Sequence, residues 1–362
     1  MRIAVDAREL CGRPTGVGRY LAEIARVWRE LPEAARHEFV WCGDRAFEHP
    51  LLDRPGWRTA VRPGRGAYWE QVAFPGLAKV ARADVLFSPA YSGPVLGSTP
   101  LVVSVHDVSF AAHPEWFRWK EGLRRRVLTR AAARRAAVVL TLTEFSRREI
   151  HRLLGVPLDR ITLAQPGPSG LAITRPATPP RHTVLMVGSV FNRRHVPELI
   201  AGFGRLAVRR PKTALAVVGE NRTWPVQNLE SARQASGAAD RIALHSYVSD
   251  EALGALYGSA RAFAYLSSYE GFGIPPLDAL VAGVPPVLLD TPVAREVFGE
   301  AAEYVTRPEP DAIADALERV LDDEVRRAAI LRAGEAITAR YSWDTCARTV
   351  LAALERAASG GR

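Results

Sequence analysis

The chain has 362 residues, 48% hydrophobic and 24% charged, the balance of an ordinary globular protein and a length beyond what one hydrophobic core serves. No apolar run reaches the roughly 18 residues of a membrane-spanning helix, the N-terminus runs into an apolar strand without a leader pattern, and Cys11, Cys42 and Cys346 form no CxxC pair. A helical membrane protein and a zinc ribbon are thereby excluded, and a cytoplasmic protein with reduced, mostly buried thiols is expected.

The net charge of +9 is uneven: residues 1–180 hold 27 Lys+Arg against 17 Asp+Glu, and residues 181–362 hold 21 against 22. On charge alone, an anionic partner for the first half and an arginine-rich composition with no partner read equally well. No helix-turn-helix, zinc-finger or RNA-recognition motif accompanies the charge, so nucleic acid is not expected as a partner.

In chain order, short apolar runs at residues 3–6, 38–42, 84–88, 101–106 and 138–142 alternate with helical patterns. The design repeats at 183–188, 214–219, 242–245, 262–266 and 286–289. Such alternation predicts parallel sheets built from strand-helix-strand units. Pro176, Pro179 and Pro180 mark residues 174–182 as a linker. The expected organisation is an α/β protein of two Rossmann-like, doubly wound domains, residues 1–173 and 183–342, facing a central cleft. A last helix over residues 343–362 is expected to pack back towards the first domain.

Ligands of open α/β sheets bind beyond the carboxyl ends of the strands, so the segments after strands are the candidate sites. Thr15-Gly16-Val17-Gly18 opens a helix where glycines and free N–H groups suit a phosphate, although taken alone the segment reads better as a turn that packs helix on sheet. His106-Asp107 ends the strand at 101–106. Residues 115–135 read as a helix starting just after Pro114, with eight Lys+Arg against two Glu, Trp116, Phe117 and Trp119 at its start, and a buried stripe of Leu123, Val127, Leu128 and Ala131. Its basic face is either solvated or a docking face for anionic lipid.

Gly188-Ser189 leads to Arg193-Arg194 after the first strand of the second domain. Paired guanidinium groups there can clamp a diphosphate and stabilise charge on a departing one. Glu270-Gly271-Phe272-Gly273-Ile274-Pro275-Pro276-Leu277-Asp278 follows the strand at 262–266. Its glycines permit a tight turn into a helix whose N-terminus faces outward, with one carboxylate before the helix and one inside it.

Taken together, RIAVDARELCGRPTGVGRY, VHDVSFAAHPEWF, TEFSRREI, GSVFNRRH, SYVSDEALGALY, SSYEGFGIPPLDALVAGVPPV and YSWDTCA resemble the retaining GT-B glycosyltransferases of glycosyltransferase family 4, in particular the mannosyltransferase B-like branch. The resemblance implies a nucleotide-sugar donor, with GDP-mannose favoured, no cofactor, no metal, and a saccharide or lipid-linked acceptor for surface polysaccharide. It makes Glu270 the acid on the donor-sugar hydroxyls and Asp278 the acid on the ribose. Arg193 and Arg194 fall on the diphosphate, and Gly16 and Gly18 in the loop facing the phosphates. His106 comes beside the transferred sugar and Val248 near the base, with Ser189, Phe272, Gly273 and Ile274 around the donor. With a lipid-linked acceptor it implies a cytoplasmic protein peripheral to the inner face of the plasma membrane.

Two departures stand out. The second acid is Asp278 where the family carries Glu, and Gln165-Pro166-Gly167-Pro168-Ser169 replaces the family's Pro-Asn-Gly or Pro-Leu-Gly turn ending in Val-Asp. They leave open a non-catalytic sugar-nucleotide binder, and the fold leaves open phosphorylase or sugar-phosphate chemistry.

Overall fold

The computed structural model describes residues 1–12, 15–174 and 182–360. The chain divides into two compact units. The first comprises Met1–Pro114, Trp119–Gly167 and Ser342–Arg362, and the second comprises Glu115–Arg118 and Pro168–Tyr341. Most of the linker expected at 174–182 lies outside the described residues.

The first unit is a seven-stranded parallel sheet of β1 (Arg2–Asp6), β2 (Glu38–Gly43), β3 (Trp57–Val61), β4 (Val85–Ser88), β5 (Leu101–Ser104), β6 (Val138–Thr141) and β7 (Ile161–Leu163). Their order is β3-β2-β1-β4-β5-β6-β7. The second unit is a six-stranded parallel sheet of β8 (His182–Val187), β9 (Thr213–Val218), β10 (Ile242–His245), β11 (Ala260–Tyr265), β12 (Pro286–Leu289) and β13 (Glu303–Val305), in the order β10-β9-β8-β11-β12-β13. The strand order reverses between β1 and β4 in one sheet and between β8 and β11 in the other. Those reversals open the crevices in which such sheets bind ligands.

Helices cover both faces. They include α1 (Gly16–Glu30), α2 (Trp119–Arg135), α3 (Glu144–Leu154), α4 (Val196–Arg209), α5 (Leu229–Ala235), α6 (Asp250–Ser259), α7 (Ile274–Val281), α8 (Pro292–Phe298), α9 (Pro310–Asp322), α10 (Glu324–Arg340) and α11 (Trp343–Ser359). Helix α11 packs within the first unit against α1, β4, β5 and β6. There Trp28 Nε1 donates to the Ala347 carbonyl at 2.9 Å, and Cys346 lies 3.4 Å from the Ala164 carbonyl. Cys42 and Cys346 are buried and Cys11 is half-buried, all three as free thiols. Burial raises the first two to about 12 and Cys11 to about 11, so they stay protonated and inert at neutral pH.

The helix expected from Glu115 begins instead at Trp119, after a one-turn 3-10 segment at Pro114–Trp116. Residues Glu115–Arg118 belong to the second unit, where the Arg118 guanidinium lies 4.4 Å above the Trp224 ring. The expected buried stripe is also corrected. Leu123 and Val127 are exposed, Leu128 and Ala131 are half-buried, and the inward face of α2 is Gly122, Thr129, Ala132 and Ala133. Small residues let the helix axis approach its neighbours closely, and the bulkier apolar side chains are left outside.

Candidate functional site

In the second unit, β8 and β11 are adjacent at the point of strand reversal. Beyond β8 the chain turns at Gly188 (φ +125°), where a Cβ would lie 2.6 Å from the Arg194 guanidinium. It then forms a 3-10 turn at Asn192–Arg194 and enters α4 through His195 in the left-handed region (φ 48°). Beyond β11 the loop carries Ser267 and Glu270 and enters α7 through Gly273 (φ 112°). Both turns need backbone conformations that favour glycine or local support.

These turns bring residues 76 positions apart into one cluster. Glu270 Oε1 accepts from Arg194 Nε at 2.8 Å, from the Tyr265 hydroxyl at 2.9 Å and from Ser267 Oγ at 2.9 Å. Arg194 also donates to the Ser189 carbonyl at 2.6 Å, and its guanidinium lies 4.8 Å over the Tyr265 ring. Arg193 is buried, its Nε 3.8 Å from the same Glu270 oxygen, and its guanidinium lies 4.4 Å over the Phe191 ring. Among the described residues Arg193 Nε has no hydrogen-bond acceptor. The Arg193 carbonyl is held by the Ser268 N–H at 2.8 Å.

Burial by itself would raise the Glu270 pKa. The Arg194 charge, then that of Arg193, together with hydrogen bonds from Arg194 and Tyr265, outweighs it and brings the carboxyl down to about 2. Two guanidinium groups and one carboxylate leave a buried net charge of +1 at the crevice. Oε1 takes all three of these donors. A pocket of about 560 Å³ lies beyond β9 and β10, lined by Gly219, Asn221, Gln227, Asn228 and His245 among others. Val248 is half-buried, two residues after Ser246 of that lining. Ile274 opens α7, and Phe272 is buried edge-on against Tyr341 with ring centroids 4.9 Å apart. Asp278 lies inside α7, 7% exposed, and its Oδ1 accepts from the Ser169 N–H at 2.7 Å.

In the first unit His106 lies in the loop past β5, which ends at Ser104 rather than at His106. Its Nε2 is 2.8 Å from the Pro89 carbonyl, and the rings of Tyr20 and Tyr91 meet it edge-on at 4.8 and 5.4 Å. Burial lowers its pKa, against the smaller opposing effects of the Pro89 bond and Asp107, so the imidazole is neutral at pH 7. Gly16 is exposed at the start of α1, where an added Cβ would meet nothing within 4 Å among the described residues. Gly18 is buried: its N–H caps onto Thr15 Oγ1 at 2.9 Å, and a Cβ there would meet the Glu9 carbonyl at 2.6 Å.

Sequence reasoning missed Tyr265 and Ser267, and in the first unit it missed Asp6, Arg8 and Glu70. Arg8 donates to both Asp6 oxygens, its Nη2 at 2.8 Å, and lies 3.6 Å from Glu70, which accepts from Ser92 Oγ at 2.8 Å. Tyr265 is the last residue of β11, and Asp6 the last of β1. The rule that exposes Glu270 therefore applies to them equally.

Among the described residues no three His, Cys, Asp or Glu side chains are grouped so as to hold a metal ion. Residues 14–167 match the model of Glycosyltransferase Family 4, and residues 175–336 match that of Glycosyl transferases group 1. The chain belongs to glycosyltransferase family 4. Its two parallel-sheet units are those of the GT-B fold, shared with HepE from Anabaena solved with UDP and glucose, at a TM-score of 0.76 and 20% identity over 98% of this chain and 100% of that one. Among family relatives it is 29% identical to the O-antigen chain mannosyltransferase B of Escherichia coli, over 68% of this chain and 67% of that protein. It is 28% identical to the GDP-mannose:cellobiosyl-diphosphopolyprenol alpha-mannosyltransferase of Xanthomonas oryzae pv. oryzae, over 68% of this chain and 65% of that protein. The match thus spans about two thirds of these relatives.

Proposed function

We propose that the chain is a retaining, metal-independent hexosyltransferase that moves mannose from GDP-mannose to a hydroxyl of a saccharide or lipid-linked saccharide. The observation that carries the reading is the pair Arg193, buried, and Arg194, half-buried, sharing one carboxylate. Its surplus positive charge and the unsatisfied Nε of Arg193 suit a diphosphate. The mannose donor is supported by the two mannosyltransferase relatives, one of which names GDP-mannose.

In this reading the bond from the anomeric carbon to the diphosphate oxygen breaks and its electron pair leaves with the nucleotide. The acceptor oxygen bonds to the same face of that carbon and its proton passes to the departing phosphate oxygen. Charge on the leaving group grows towards the transition state, so the arginines act more strongly there than in the ground state. Glu270 orients the sugar, its geometry fixed by the three donors on Oε1. The pocket beyond β9 and β10 takes the nucleoside, with Val248 near the base. Within the second unit Ser189, Gly273 and Ile274 present backbone to the donor.

Helix α2 adds an attachment to anionic lipid. Its outward face combines Trp119 (72% exposed), Leu123 and Val127 at four-residue spacing with Lys120, Arg124, Arg130 and Arg134. A lipid-linked acceptor is confined to such a surface.

The test is purified protein with GDP-mannose, UDP-glucose and other nucleotide sugars, with lipid-linked saccharides as acceptors, in EDTA. Release of GDP with formation of an α-mannoside is expected. Activity that appears only on adding manganese or magnesium would overturn the metal-free part. Failure of every nucleotide sugar to bind would overturn the donor reading as a whole.

A further inference from the structure

The two departures from the family's pattern, Asp278 and the segment Gln165-Pro166-Gly167-Pro168-Ser169, meet in a single hydrogen bond. Asp278 Oδ1 accepts the Ser169 N–H at 2.7 Å. The chain passes from the first unit to the second between Gly167 and Pro168, so this bond grips the chain two residues after it changes unit. The grip is on the backbone, and among the described residues the buried Ser169 hydroxyl has no hydrogen-bond partner.

Three further observations concern this passage and the return one. Three residues on, the Ala172 carbonyl lies against Gly254 in α6, where a Cβ would come within 2.0 Å of that oxygen. The return passage, between Tyr341 and Ser342, is held on the second-unit side by the Tyr341 ring on Phe272. On the first-unit side, Gly167 lies so close to Trp343 that a Cβ would meet the Trp343 nitrogen at 2.8 Å. Both passages are therefore fastened, within the second unit, to the stretch from Phe272 to Asp278 that opens α7.

We propose that Asp278 is a positioning residue that latches the passage at 168–174 onto α7, in place of the ribose contact that the family's longer acid makes. An aspartate is one methylene shorter than a glutamate. Here the shortened side chain is matched by a backbone N–H brought to it by the altered segment. The statement about ribose rests on the donor reading above, whereas the latch does not.

Hydrogen exchange on the full chain, read by mass spectrometry, tests the latch directly. Asp278→Ala is expected to speed exchange in peptides covering 168–174 by roughly tenfold or more, the loss of one buried hydrogen bond to a charged acceptor. Peptides from β8 and β11 are expected to stay at wild-type rates. Asp278→Asn, whose amide oxygen still accepts, should keep most of the protection, and Ser169→Ala, which keeps the N–H, should keep all of it. Unchanged exchange over 168–174 in both Asp278 variants would overturn the proposal.

Calorimetry with GDP and its 2′,3′-dideoxy analogue addresses the ribose. Wild type and Asp278→Ala should lose affinity by the same factor when the hydroxyls are removed. A loss in wild type that vanishes in the variant would make Asp278 the ribose ligand and defeat the proposal. If GDP binds to neither protein, the donor reading fails, and the exchange experiment still decides the latch.

Discussion

Glu270 shows how one side chain's chemistry is set by its neighbours. Its pKa is depressed in the folded protein, so its contribution to stability is complete above the unfolded value of 4.5 and is lost as pH falls towards about 2. That contribution is on the order of 3 kcal/mol. Acid unfolding of wild type and Glu270→Gln should therefore differ most above pH 5 and converge towards pH 2. A difference that stays constant over this range would mean the arginines do not hold the charge. The same substitution should abolish nearly all transfer while the protein still folds at neutral pH, checked by turnover beside a melting curve. Glu270 and the arginine pair were each legible as residues following strands. Their mutual bond was not, because 76 residues separate Arg194 from Glu270 and nothing in the spacing tells which turns share a crevice. Asp278 was legible as a carboxylate inside a helix, but its partner is a main-chain N–H, which carries no residue-type signal.

At the level of elements, the ten strands read from the sequence are all present, with ends shifted by at most two residues, and three were missed: β3, β7 and β13. Each missed strand is the edge of its sheet. β7 and β13 are three residues long, and β3 has no buried position, so none presents the continuous apolar run of a strand covered on both faces. Helix α2 failed in another way, since apolar spacing marks a stripe without saying which way it points. Its outward Trp119, Leu123 and Val127 lead to a prediction. Replacing Trp119 with Ala and Leu123 and Val127 with Ser should weaken sedimentation with anionic vesicles by roughly tenfold or more at low salt. Stability should change little, since Trp119 is 72%, Val127 56% and Leu123 40% exposed in the fold. Equal recovery of wild type and variant, or equal recovery on neutral and anionic lipid, would leave the helix as scaffold.

For the molecule as a whole, the positive charge gathers in the first half of the sequence, and the second half is close to neutral. The first unit is assembled from three stretches of chain, and its last stretch contributes Cys346, Ala347, Val350, Leu351 and Leu354, all buried. Leu354→Ala should cost about 2–5 kcal/mol by opening a cavity against the first sheet. Its melting transition should fall while ligand-free spectroscopic signals from the second unit are retained; a loss below about 0.5 kcal/mol would show that α11 is dispensable. Because α11 follows the whole of Pro168–Tyr341 in the chain, translation completes the earlier unit last. At ~5–20 residues per second, the nascent sheet would wait roughly ten to thirty seconds with Tyr20, Trp28 and the strand faces beneath α11 uncovered. That interval is when the newborn chain most needs a chaperone, and a ribosome stalled inside the second unit would release a product that aggregates through its N-terminal half.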